Sequence, residues 1–129
     1  MWIENQIAMY QRKIPVSLDC GLNLFREVIN GKWKMNLIFF IHAGIKRPGE
    51  LKRQIPDTTR RVLDTQLNQL VAHGLLTKTV FPGLPLKVEY ELTDLCKPLI
   101  PIINTIVSWG EDNRTELEEL INKRKEAHV

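Results

Sequence analysis

Between Arg47 and Gly74 the chain is punctuated at intervals that read as two short helices. Arg47-Pro48-Gly49-Glu50-Leu51 opens the first, because a proline at the first helical position gives up an amide that has no intrahelical partner anyway. Pro56 ends it after Ile55, since the residue before a proline is driven towards extended backbone. Thr58 or Thr59 caps the second helix, and His73-Gly74 closes it. Leu63, Leu67 and Leu70 stand four and three residues apart, which puts them on one face. Two short helices joined by a tight, proline-containing turn are what a helix-turn-helix requires.

After Gly74 the composition changes. Leu75 to Phe81 and Leu86 to Leu92 are rich in Val, Thr, Tyr and Leu, as strands are. Pro82-Gly83-Leu84-Pro85 between them is a turn that regular strand cannot accommodate. A β-hairpin directly after the second helix stands where a wing would be.

The flanking segments read as helices. Residues 2–13 carry Trp2, Ile3, Ile7 and Tyr10 at helical spacing and stop at Pro15. Leu22 to Ile29 ends at Asn30-Gly31, and Lys32 to Ala43 places Trp33, Leu37, Phe40 and Ile41 on one face before Gly44. Thr93 caps a C-terminal helix bearing Leu99, Ile102, Ile103, Ile106, Val107 and Trp109, with a kink or a late start expected near Pro98 because Pro98 and Pro101 fall early in it. That apolar stripe is wider than a small domain needs, and it is expected to form a dimer interface. The expected class is mainly α with a small β-hairpin wing. Its expected parts are an N-terminal helical arm at 1–19, a winged helix-turn-helix domain at 20–110 and a helical tail at 111–129.

Charge supports a polyanion partner. Between Lys46 and Lys87 eight basic residues face three acids, a local charge of +5, whereas residues 111–126 sum to −2. Cys20 and Cys96 lie far apart, and His42, His73 and His128 are scattered, so neither a metal site nor a cofactor is expected. No apolar run approaches the roughly 18 residues of a spanning helix, and Glu4 disfavours a signal peptide, so a cytoplasmic protein is expected. Cys20, His42 and Asp19 form no motif that would bring a nucleophile to a base, which argues against an enzyme.

Gly31-Lys32-Trp33-Lys34, Gly49-Glu50-Leu51-Lys52, Thr59-Arg60-Arg61-Val62-Leu63, His73-Gly74-Leu75-Leu76, Val88-Glu89-Tyr90-Glu91-Leu92-Thr93 and Ser108-Trp109-Gly110 follow one another in an order that resembles the HxlR family of winged-helix regulators. The resemblance runs from about Cys20 to Gly110. It implies a homodimeric repressor or activator that binds duplex DNA. N- and C-terminal helices would build the dimer, engaging Trp2, Ile3 and Ile7 with Ile102, Ile106 and Trp109. Several members resemble redox or electrophile sensors that use a cysteine just ahead of the first core helix, the place of Cys20. Gly21 departs from the proline common after that cysteine, Pro48 from an aromatic residue, Asp64 from a small hydroxyl residue and Cys96 from a glycine. Cys96 is a secondary thiol candidate.

If the leucine stripe faces the core, a rotation of about 100° per residue turns Thr58, Arg61, Thr65 and Asn68 outward, ready for a major groove. Arg61 is the first candidate for a base contact, because a guanidinium fork matches guanine O6 and N7. Thr59 at the helix N-terminus, Arg60 at its flank, Lys46 and Arg47 ahead of the preceding helix, and Lys78 and Lys87 on the wing are candidates for phosphate. Asp64 is expected to point away from the duplex. A two-fold dimer would read a palindromic operator with half-sites about 34–36 Å apart. The alternative is a winged helix that binds only protein, for which association lacks the steep salt dependence of duplex binding. No feature names a small-molecule effector.

Overall fold

The structure, a computed structural model, describes Leu18 and residues 20–127. The expected arm with Trp2, Ile3, Ile7 and Tyr10 therefore lies outside the described residues, as do Asp19 and His128. The chain forms two compact units, residues 1–30 and 31–129. In the first unit, α1 (Gly21–Ile29) begins after Cys20, whose carbonyl accepts from the amides of Asn23 and Leu24.

The second unit holds α2 (Lys34–His42), α3 (Pro48–Gln54), α4 (Arg60–Ala72), β1 (Leu76–Phe81), β2 (Lys87–Leu92), α5 (Leu99–Asp112) and α6 (Arg114–Ala127). This is the mainly helical, hairpin-bearing architecture expected from the sequence. Pro48 occupies the first turn of α3, as the missing amide predicts. Thr59 rather than Thr58 caps α4, its hydroxyl accepting from the Val62 amide at 3.1 Å. Gly74 follows with φ +77, a left-handed value that glycine adopts without strain.

α4 packs against α2, α3 and β1, and buries Leu63, Leu67 and Leu70 completely. α2 also meets β2 and α5. Its buried face corrects the expected one: Lys34, Leu37, Ile38 and Ile41 are buried, while Phe40 is only half-buried. The reason is that α2 is covered on several sides at once, so a single stripe does not describe it. Gly31 stands where a Cβ would come within 3.1 Å of both Lys34 and Gln66 side-chain carbons, so a side chain there would crowd both. Gln66 accepts from the Trp33 amide at 2.9 Å.

The hairpin pairs antiparallel, with Leu76 opposite Leu92 and Phe81 opposite Lys87. Leu76 and Tyr90 point into the core, so Lys78, Val80 and Val88 share their face and Thr77, Thr79, Phe81, Lys87, Glu89 and Glu91 form the outer one. Thr93 fastens the hairpin's end. Its hydroxyl donates to the Gly74 carbonyl at 2.6 Å and accepts from the Cys96 amide at 3.3 Å. Turns then lead to α5 at Leu99, the late start expected of the two prolines.

Replacing Leu67 by Ala should lower the stability by about 2–5 kcal/mol, because the methyl groups lost leave a cavity beneath the one buried face of α4. A urea titration followed by circular dichroism checks this, and an unchanged midpoint would contradict the place of Leu67 in the core.

Candidate nucleic-acid interface

Three leucines on one side of α4 leave the other side to solvent. Arg61, Thr65 and Asn68 are exposed there, and Thr58, just ahead of the cap, is half-buried. Arg61 has no ion pair among the described residues. Thr65 donates its hydroxyl hydrogen to the Arg61 carbonyl at 2.9 Å, which leaves its oxygen lone pairs facing outward. Arg60 lies nearer the core side and its Nε donates to Asp64 Oδ1 at 3.0 Å, one turn on. Asp64 is thereby engaged on the helix flank. Tyr90 sits near this pair: burial pushes its phenol pKa up, the Asp64 charge adds to that and Arg60 opposes it.

Beside α4, the cations assigned to phosphate divide into two groups. Lys78 and Lys87 on the wing are exposed and unpaired among the described residues, on the core-side and outer faces of the hairpin respectively. Lys46 and Arg47 are paired instead. Lys46 Nζ lies 2.7 Å from Glu91 Oε1, and Arg47 donates from Nε and Nη2 to Glu89 Oε2 at 3.3 Å. Their pairing holds the Lys46 pKa above, and the Glu91 pKa below, the usual range.

The sequence reading missed both acids. A signal existed, because Glu89 and Glu91 alternate with a tyrosine that is core-facing, and so both had to share the outer face with Lys87. It also missed the apolar tip of the wing. Leu84 is fully exposed there, Phe81 and Leu86 are exposed too, and a groove of about 490 Å³ runs along the tip past Arg47, Lys87 and Glu89.

Elsewhere, the stripe on α5 stays open: Ile102 is 51% and Trp109 61% exposed, while Ile100 and Ile103 are buried on the opposite side. Past Asn113, Leu120 and Ile121 on α6 are exposed too. Cys20 is exposed and Cys96 fully buried. Burial pushes the Cys96 thiol up to about 11, so at pH 8 it stays protonated and poorly nucleophilic. Among the described residues no cluster of three His, Cys, Asp or Glu side chains is placed to hold a metal, and no helix is long and apolar enough to cross a membrane.

Helices α3 and α4 with the β1–β2 hairpin define a winged helix-turn-helix. Residues 28–118 match the model of the HxlR-like helix-turn-helix family, and the chain belongs to that family. A relative from Bacillus subtilis, the uncharacterized HTH-type transcriptional regulator YkvN, is 42% identical over 92 residues, covering 71% of this chain and 78% of its own length. An uncharacterized HTH-type transcriptional regulator from Methanothermobacter thermautotrophicus is 36% identical over 92 residues, 71% of this chain and 70% of its own. Among solved structures, the redox regulator HypR in its reduced form superposes with a TM-score of 0.71 at 39% identity, covering 78% of this chain and 99% of that one. Its oxidized form gives 0.68 at 39% identity, over 73% and 97%.

Thiol titration with a disulfide reagent at pH 8 should count one fast-reacting sulfur in the native chain, Cys20, and two after denaturation. Two fast thiols in the native protein would contradict the burial of Cys96.

Proposed function

We propose that this chain is a sequence-specific transcription regulator that binds duplex DNA as a homodimer. The carrying observation is the orientation of α4, with Arg61 exposed and, among the described residues, unpaired opposite a fully buried leucine stripe. An α-helix fits the major groove, where a guanidinium fork meets guanine O6 and N7. Arg61 reads a base, with Thr58, Thr65 and Asn68 as further readers. The free amides at the α4 N-terminus beside Thr59, with Arg60, Lys46, Arg47, Lys78 and Lys87, take phosphates. The open stripe Ile102–Ile106–Trp109 on α5 supports dimerisation, with the arm residues Trp2, Ile3 and Ile7 completing the contact. A two-fold pair of α4 helices reads a palindromic operator. The protein acts in the cytoplasm, where its duplex lies.

Arg61→Ala should cost about 1–3 kcal/mol on the selected operator and relax preference at one base position, whereas Lys87→Ala should weaken all sequences alike. Binding-site selection from random duplex, followed by titration of each variant, measures this. Equal losses on operator and random DNA for Arg61→Ala would refute its role as a base reader. Association that is insensitive to salt would instead favour a protein-binding winged helix.

Cys20 serves as a thiol switch in this reading, supported by its exposure at the N-cap of α1 and by the similarity to a redox regulator. Diamide should weaken operator binding by the wild-type protein and leave Cys20→Ser unaffected in a gel-shift assay. A full response by Cys20→Ser would refute the switch.

A further inference from the structure

The segment between α2 and α3 runs beside the wing. The Lys46 carbonyl accepts from the Tyr90 amide at 3.0 Å, which lays this segment along the free edge of β2. Tyr90 turns inward, so Glu89 and Glu91 on either side of it reach the outer face and meet Arg47 and Lys46. Two consecutive cations thus face two alternate carboxylates. The pairs are open to solvent: the side chains of Lys46 and Glu91 are 39% and 57% exposed, those of Arg47 and Glu89 47% and 27%. Arg47, Glu89 and Lys87 also line the groove along the wing tip, so an incoming oxyanion has a path to the Arg47 guanidinium.

We propose that Glu89 and Glu91 compete with DNA phosphate for Arg47 and Lys46, so that the wing strand itself sets how tightly the protein holds duplex DNA. This rests on the DNA-binding reading above. A cation already neutralised by a carboxylate attracts a phosphate weakly and contributes little to counterion release. Arg61, Lys78 and Lys87, unpaired among the described residues, engage the duplex at full charge, whereas Lys46 and Arg47 must first exchange an intramolecular partner. Their partners are acids held close to the phosphates by the hairpin, and these repel the duplex for as long as they are charged. Because phosphates carry no base identity, the effect applies to every sequence.

The test uses Glu91→Gln and Glu89→Gln in the full chain, each titrated against one 30-base-pair duplex between about 50 and 200 mM salt. Each substitution keeps the side chain's shape and an acceptor oxygen but removes its charge. Each should steepen the log–log salt slope by up to about 0.9, equivalent to about fivefold tighter binding at 0.15 M salt. Adding Lys46→Gln to Glu91→Gln should return the slope to the wild-type value. Variants that bind no tighter than wild type, with unchanged slopes and native melting curves, would overturn the competition. If one variant fails to fold, the other carries the test. A wild-type chain that does not bind the duplex at 50 mM salt overturns the DNA-binding reading, whereas wild-type binding with unresponsive variants overturns this inference alone.

Discussion

The rotation of α4 about its own axis is set by three leucines. Leu63, Leu67 and Leu70 are wholly removed from water where the helix meets α2, α3 and β1, and each fully buried leucine is worth about 1.5–3 kcal/mol against exposure. Turning the helix by one residue's rotation, about 100°, would bring leucines to the surface and push Asp64 or Arg60 inward without hydration. An exposed ion pair, worth about 0–1 kcal/mol, does not offset that. Arg61, Thr65 and Asn68 therefore face outward because of what lies on the opposite side. The proposed reading face is a by-product of the core.

Around that fixed helix the hairpin is tied at two places. Thr93 joins the end of β2 to the Gly74 carbonyl at the foot of α4, and the Lys46 carbonyl joins the segment before α3 to Tyr90. The second bond satisfies the amide of buried Tyr90, which would otherwise be costly. Both bonds also mean that wing, α3 and α4 share one frame, which a protein laid against adjacent stretches of a duplex needs. Charge is distributed on this frame unevenly. Among the described residues some cations stand alone and others are held by acids of the wing strand, so a count of basic residues overstates the field that a phosphate would meet.

Much of the fold was legible because the signals were local. Pro48 marks a first turn, Thr59 a cap and Gly74 a left-handed exit, each for a reason confined to its own backbone. The stripe on α4 was legible because that helix has one dry side. On α2 the same reasoning named Phe40 where Ile38 and Lys34 are the buried residues, because neighbours on several sides leave no single face to detect. Gln66 was invisible for a related reason. Its role is to accept from the Trp33 amide, 33 residues away, and nothing in its neighbourhood along the chain announces that.

By itself, the sequence determined the order of helices, turn and hairpin, and which side of α4 is apolar, since both follow from backbone preference and from spacing within a few residues. Tertiary structure alone decided how the cations are employed. Lys46 and Arg47 look equivalent to Lys78 and Lys87 along the chain, yet one pair meets Glu91 and Glu89 and the other meets solvent. The physical reason is distance. Coulombic pairing depends on separation in space, and residues more than 40 positions apart come within 3.3 Å only when the segment before α3 lies along the edge of β2.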